Sequence, residues 1–265
     1  MKLRLLIAAT FTIAAAHAQW NYDAKSAQSV SGSFKDIGKK ATLITKNYSG
    51  AELNPDDDNS AVQNIGFSFR FNGQAFTQFV LNTNGFIKLG AAAPSAKNIY
   101  YYSATGGGTS AINVKDSNLI YAFNRNLVSL GKGTEFSVLT DNSSAGKVCI
   151  IQFKNLVDKI GQYSAVSFQI KLYETGVIEF VYGEWQASET PGTLTVAAVG
   201  IKGDNTENSI NVAKGSSVEW NNEMGIPQKP YEFLNGDYAK KGPNFGNKNN
   251  VLPEAGHTYR FTPLK

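Results

Sequence analysis

Within residues 65–90 apolar side chains recur at alternate positions. Ile65, Phe67, Phe69 and Phe71 form one run, Phe79 and Leu81 a second, and Phe86, Ile87 and Leu89 a third. A side-chain period of two is that of a strand with one buried face. Asn72-Gly73 separates the first two runs. Both residue types tolerate positive φ, so the pair predicts a hairpin turn. A second pair, Asn84-Gly85, predicts a turn or bulge ahead of Phe86.

The same pattern continues along the chain. In SAVSFQIKLYETGVIEFVYGEW, Val166, Phe168, Ile170 and Leu172 share one face, and Ser167, Gln169 and Lys171 share the other. Glu174-Thr175-Gly176 turns the chain into a returning arm over residues 177–182. Further strands are predicted at 41–45, 119–123, 134–139, 147–156, 193–201, 209–212, 218–220 and 257–262. Residues 91–118, with Tyr100-Tyr101-Tyr102 and a triple glycine, read as a long loop containing a strand. No useful helical period is present. Many short strands between Gly, Asn and Pro turns predict an all-β fold, an antiparallel β-sandwich of jelly-roll-like order in a single domain.

The N-terminus changes where that domain begins. Lys2 and Arg4 precede an apolar run over residues 5–16, and Ala16-His17-Ala18 supplies a small-x-small cleavage pattern. This predicts a signal peptide over 1–18, a mature domain over 19–265, and export to the periplasm, cell surface or medium. The run falls short of the roughly 20 apolar residues that span a bilayer, so no transmembrane anchor is expected. The chain carries 25 Lys and Arg against 21 Asp and Glu, and two of the basic residues lie in the leader. No basic cluster of the nucleic-acid-binding kind is present. The single cysteine, Cys149, lies between Val148 and Ile150. It reads as a small buried hydrophobe, and no disulfide framework is expected.

Four blocks resemble a known module. Asp56-Asp57-Asp58 with the 65–90 segment, LIYAFNRNL, the pair VCIIQFKNLV and FQIKLYETGVIEFVYG, and VAAVGIKGDNTENS with PEAGHTYRFTP together span residues 55–263. They are similar to the β-sandwich module, related to nidogen-like domains, of exported and surface proteins of Bacteroidetes-type bacteria. The resemblance implies a surface interaction or glycan-contacting role. Where that module tends to carry acidic residues, Asn124, Arg125 and Asn126 stand here.

Candidate chemistry is sparse. One histidine, His257, follows the leader, and no Gly-x-Ser-x-Gly elbow is present. A Ser-His-Asp or Cys-His centre therefore has little to draw on, and one Cys with one His cannot make a zinc site. A polysaccharide hydrolase needs two carboxylates across a cleft, and Glu179 and Glu184 are the first candidates for it. Calcium is the most plausible ion, because Asn54, Asp56, Asp57, Asp58 and Asn59 put oxygen donors into one loop. Sugar stacking calls on aromatics, and Tyr100, Tyr101, Tyr102, Trp185 and Trp220 are the candidates. The expected function is a non-catalytic interaction module for glycan or a partner protein, with a hydrolase or a structural surface component as the alternatives.

Overall fold

A computed structural model describes residues 19–101, 108–129, 131, 133–189, 195–215, 231–236, 245–247 and 251–265. Residues 1–18, where a signal peptide is expected, Tyr102, Trp220 and the strand expected at 218–220 lie outside these residues. Two sheets face each other.

The first sheet contains β1 (Gln28–Ser31), β2 (Thr42–Leu43), β9 (Leu127–Val128), β10 (Glu135–Ser143), β11 (Gly146–Asp158), β12 (Tyr163–Tyr173), β13 (Ile178–Tyr182), β14 (Gln186–Ala187) and β19 (His257–Phe261). Its main path runs β1-β19-β13-β12-β11-β10-β2. The second contains β3 (Gln63–Phe71), β4 (Gln74–Asn82), β5 (Phe86–Leu89), β8 (Leu119–Asn124), β15 (Thr195–Lys202), β16 (Ser209–Lys214), β17 (Tyr231–Asn235) and β18 (Phe245–Asn247). Its order is β17-β16-β18-β15-β8-β5-β4-β3. β6 (Tyr100–Tyr101) and β7 (Gly108–Thr109) form a separate ribbon. Helix among the described residues is limited to 3-10 turns at Ala24–Ser26 and Gly38–Lys40.

The fold is the expected antiparallel β-sandwich. Jelly-roll interleaving is not what orders its centre, however. β10 to β13 and β3 to β5 are neighbours in chain order. Tight turns at Asn72-Gly73, Asn84-Gly85 and Thr175-Gly176 fold each strand onto the one before it. Local hairpins thus set the order, giving a meander at the heart of each sheet.

The predicted stripes form the core. Phe69, Phe71, Phe79 and Leu81 from the second sheet meet Phe153, Phe168, Ile170 and Phe180 from the first. Phe153 and Phe168 stack with centroids 4.6 Å apart, on paired positions of β11 and β12. Burying each such side chain contributes about 1.5–3 kcal/mol.

The second sheet is buried on its outer face as well. Residues 91–101 and 108–118 cover it, with Ile99, Tyr101, Ile112 and Val114 packed on Phe86, Leu119 and Tyr121. This is why all six residues of β8 are buried. Lys202 fastens the cover. It is 1% exposed, and its ammonium donates to the carbonyls of Ala111 (2.7 Å), Ile112 (3.2 Å) and Val114 (2.7 Å). Burial pushes this lysine down to about 8.

Candidate functional site

The outer face of the first sheet holds the candidate site. Cys149, Ile151, Phe153, Phe168, Ile170 and Leu172 point into the core. Their neighbours along β11 and β12 therefore point outward. Register aligns these outward residues in rows: Leu139, Ile150 and Lys171; Asp141, Val148 and Tyr173; Ser137, Gln152 and Gln169.

Residues 33–40 cross these rows as a strap held by polar contacts. Gln152 Nε2 donates to Asp36 Oδ1 (2.9 Å) and Lys154 Nζ to Asp36 Oδ2 (2.6 Å). Gln169 Nε2 donates to the Lys35 carbonyl (2.7 Å), and Lys171 Nζ to that of Ser33 (3.3 Å). The bond from Lys154, joined by the one from Gln152, holds the Asp36 carboxyl down at about 2, so it is ionised at neutral pH.

Between strap and strands lies a groove of about 620 Å³. That volume is within the usual ligand-site range of roughly 300–1,000 Å³. Leu139, Val148, Ile150 and Tyr173 give it an apolar lining, and Lys35, Lys39, Lys40 and Lys171 give it ammonium groups. Burial pushes the Lys171 ammonium down; Glu179 opposes this and Lys35 adds to it. Tyr173 is fixed from behind. Its hydroxyl donates to Glu179 Oε2 (2.7 Å), while Arg260 Nη2 and Nε both lie 2.7 Å from Oε1. An apolar strip flanked by hydrogen-bond donors can hold a ligand without reacting with it.

Glu179, the first hydrolase candidate, is thus buried and engaged by Arg260 and Tyr173, not set across a cleft from a second acid. Glu184 is exposed beyond the end of β13.

The acidic loop lies at one end of the sandwich, and its carboxylates face different partners. Asp56 Oδ2 accepts from Lys159 Nζ at 2.7 Å. Asp57 Oδ1 accepts from Asn84 Nδ2 at 2.9 Å, and Asp57 Oδ2 lies 3.5 Å from the Tyr100 hydroxyl. Asp58 is buried against Lys97 Nζ at 2.7 Å and against the backbone N–H groups of Asn54 and Asn59. Burial raises the Asp58 carboxyl, but Lys97 and the N–H donors outweigh it, so its pKa ends below the ordinary value. Asn54 Oδ1 accepts from the Asp56 N–H in a local turn, and Asn59 Oδ1 accepts from Asn82 Nδ2 at 2.7 Å. Among the described residues no three His, Cys, Asp or Glu side chains are placed to hold a metal ion together.

These contacts make the Asn82–Gly85 turn a buried polar hub. Asn84 Oδ1 accepts from the Leu127 N–H, while Asn124 Nδ2 donates to the Asn84 and Ile99 carbonyls. Beside it Arg125 is 1% exposed. Its Nε lies 3.2 Å from Asp158 Oδ2, and its Nη1 donates to the Val196 carbonyl at 2.7 Å. The basic residue at this position is therefore a buried structural cation.

A family model described as NIDO related matches residues 21–263. The chain belongs to the NIDO-related family. The match takes in both sheets and all four blocks that resembled the nidogen-related module. No curated protein and no solved structure matches the chain.

In this NIDO-related chain the aromatics expected to stack on sugars are dispersed. Trp185 is a correction: it is buried, with Nε1 donating to the Ser167 carbonyl (2.9 Å) and its ring 4.7 Å from Phe123 and 5.1 Å from Tyr163. A ring enclosed in this way has no face for a sugar. Tyr101 is likewise buried under the cover of the second sheet. Tyr100 is half-buried and lines a smaller cavity of about 280 Å³ with Ile99 and Thr109. Tyr102 and Trp220 lie outside the described residues. Cys149 is fully buried as expected, and burial pushes its thiol up to about 12.

Sequence reasoning missed the groove, although two signals for it were present. The alternation Ser167, Gln169, Lys171 continues to Tyr173. In KVCIIQF both alternating sets are apolar, which marks a strand covered on both faces.

Proposed function

We propose that this chain is an exported, non-catalytic binding module that holds a glycan in the groove across β10, β11 and β12. The observation that carries the reading is the pairing of an apolar strip with lysine donors in one ligand-sized groove. Export rests on the leader pattern of residues 1–18. Among the described residues no helix is long and apolar enough to cross a membrane.

The test is a glycan array probed with residues 19–265 and with a groove-filling variant, Ile150→Trp. Retention by the parent protein and loss in the variant supports the reading. A blank array for the parent overturns it.

A protein partner is the second reading, and one observation favours it. Leu43 is 53% exposed on the two-residue edge strand β2, beside a cavity of about 310 Å³ that includes Leu53 and Pro55. Edge strands with exposed apolar side chains invite pairing with another chain.

A further inference from the structure

We propose that the groove selects an acidic oligosaccharide, specifically one bearing uronic-acid carboxylates. This rests on the reading of the groove as a glycan site and adds the chemical class of the glycan.

Charge is the first ground. The groove is lined by four lysines, Lys35, Lys39, Lys40 and Lys171, and by two aspartates, Asp36 and Asp141. Asp36 is already engaged by Lys154 from outside the groove, at 2.6 Å. The surplus is a few positive charges along an apolar floor. That suits a chain with one carboxylate per sugar better than the denser charge of a sulfated chain. Lysines are mobile point charges, which match carboxylates spaced along a flexible chain without demanding one fixed geometry.

The second ground is an acceptor. Gln169 lines the groove and is 1% exposed. Its Nε2 donates to two acceptors, the Lys35 carbonyl and Gln152 Oε1, each at 2.7 Å. Those two oxygens fix which way the amide faces, since the flipped form would set oxygen against oxygen. Gln169 Oε1 has no hydrogen-bond partner among the described residues. The oxygen is itself buried, so only a small donor such as a hydroxyl or a bridging water can meet it, and carboxylates and sulfates offer none.

The third ground counts against an extended acidic peptide. Such peptides usually dock by adding a strand to a free edge. The groove lies over the outward face of β10, β11 and β12, which are paired to one another. The apolar strip and the lysines belong to that face; the edge of β10 is open only beyond Val138, where β2 no longer pairs with it.

The experiment is calorimetric titration of residues 19–265 with a short oligogalacturonate, its methyl ester, a heparin-derived oligosaccharide and poly-glutamate. The acid form is expected to bind, with affinity falling as salt rises. Methyl esterification keeps the shape, removes the charge and is expected to weaken binding at least tenfold. Lys39→Ala with Lys40→Ala, both on the exposed strap, is expected to weaken it by about 3- to 10-fold, the scale of two exposed ion pairs.

Equal binding of acid and ester overturns the acidic inference while the glycan reading stands. Tighter binding of the heparin fragment or of poly-glutamate overturns the uronate assignment. Unchanged affinity in the double variant places the ligand elsewhere and overturns the site. If no saccharide binds in any form, both readings fall.

Discussion

Gly85 sits directly against the backbone of Phe123. A Cβ built on Gly85 would meet the Phe123 carbonyl oxygen at 2.0 Å, and Gly85 holds φ at +85°. The Gly85 carbonyl also accepts from the Phe123 N–H at 3.3 Å. The hub turn and β8 are therefore pressed together, and only glycine fits. Gly85→Ala is expected to cost more than about 3 kcal/mol, because it combines positive-φ strain with a backbone overlap. Gly50 provides the comparison, with φ +87° and nothing within 4 Å. Gly50→Ala is expected to cost about 1 kcal/mol. Chemical denaturation of both variants checks the difference.

His257 makes stability depend on pH. Burial, with Lys214 adding to it, pushes its imidazole down to about 4. The unfolded chain takes up this proton near the ordinary value of about 6.5, while the folded chain does not. Stability is therefore expected to fall as pH drops from about 6.5 towards 4, by up to about 3 kcal/mol from this group. The other histidine, His17, lies outside residues 19–265. Urea melts of residues 19–265 across this range, compared with His257→Gln, isolate the contribution as the difference in slope.

Arg125 and Asp158 form a buried pair, and removing one partner strands the other. Asp158→Asn is expected to cost about 3–5 kcal/mol by leaving the guanidinium without a counter-charge. Replacing both, as Arg125→Met with Asp158→Leu, is expected to recover much of that loss. Thermal melts of the single and double variants make the comparison.

The acidic loop is expected to be indifferent to calcium. Asp56 faces Lys159, Asp57 faces Asn84, and Asp58 faces Lys97. An ion would have to displace two ammonium groups and break the Asn84 contact. Millimolar calcium and millimolar EDTA should leave the melting temperature the same. A calcium-dependent rise would show that the loop rearranges to bind the ion.

The core was readable because a stripe such as Phe67, Phe69 and Phe71 has one explanation, a strand face turned inward. Turns were readable at Asn72-Gly73 and Asn84-Gly85 for a similar reason, since positive φ restricts the residue types. Strand order was less so, because alternation fixes faces and not neighbours. Trp185 was misread because polar Glu184 and Gln186 flank it. Its burial depends on Ser167, on another strand, accepting the indole N–H. The groove was hidden by distance: Gln152 and Lys154 reach Asp36 across more than a hundred residues of chain. Residues 33–40 carry no periodic signal, so nothing local marks them as a strap.

The groove is the central claim, and amide hydrogen exchange tests it most directly. Residues 19–265 would be measured with and without a saturating oligogalacturonate. Slowed exchange is expected over residues 33–40 and along β10 to β12, with residues 95–101 and 108–109 around Tyr100 unchanged. Protection around Tyr100 with none in the strap, or no protection anywhere, would contradict the groove as the binding site.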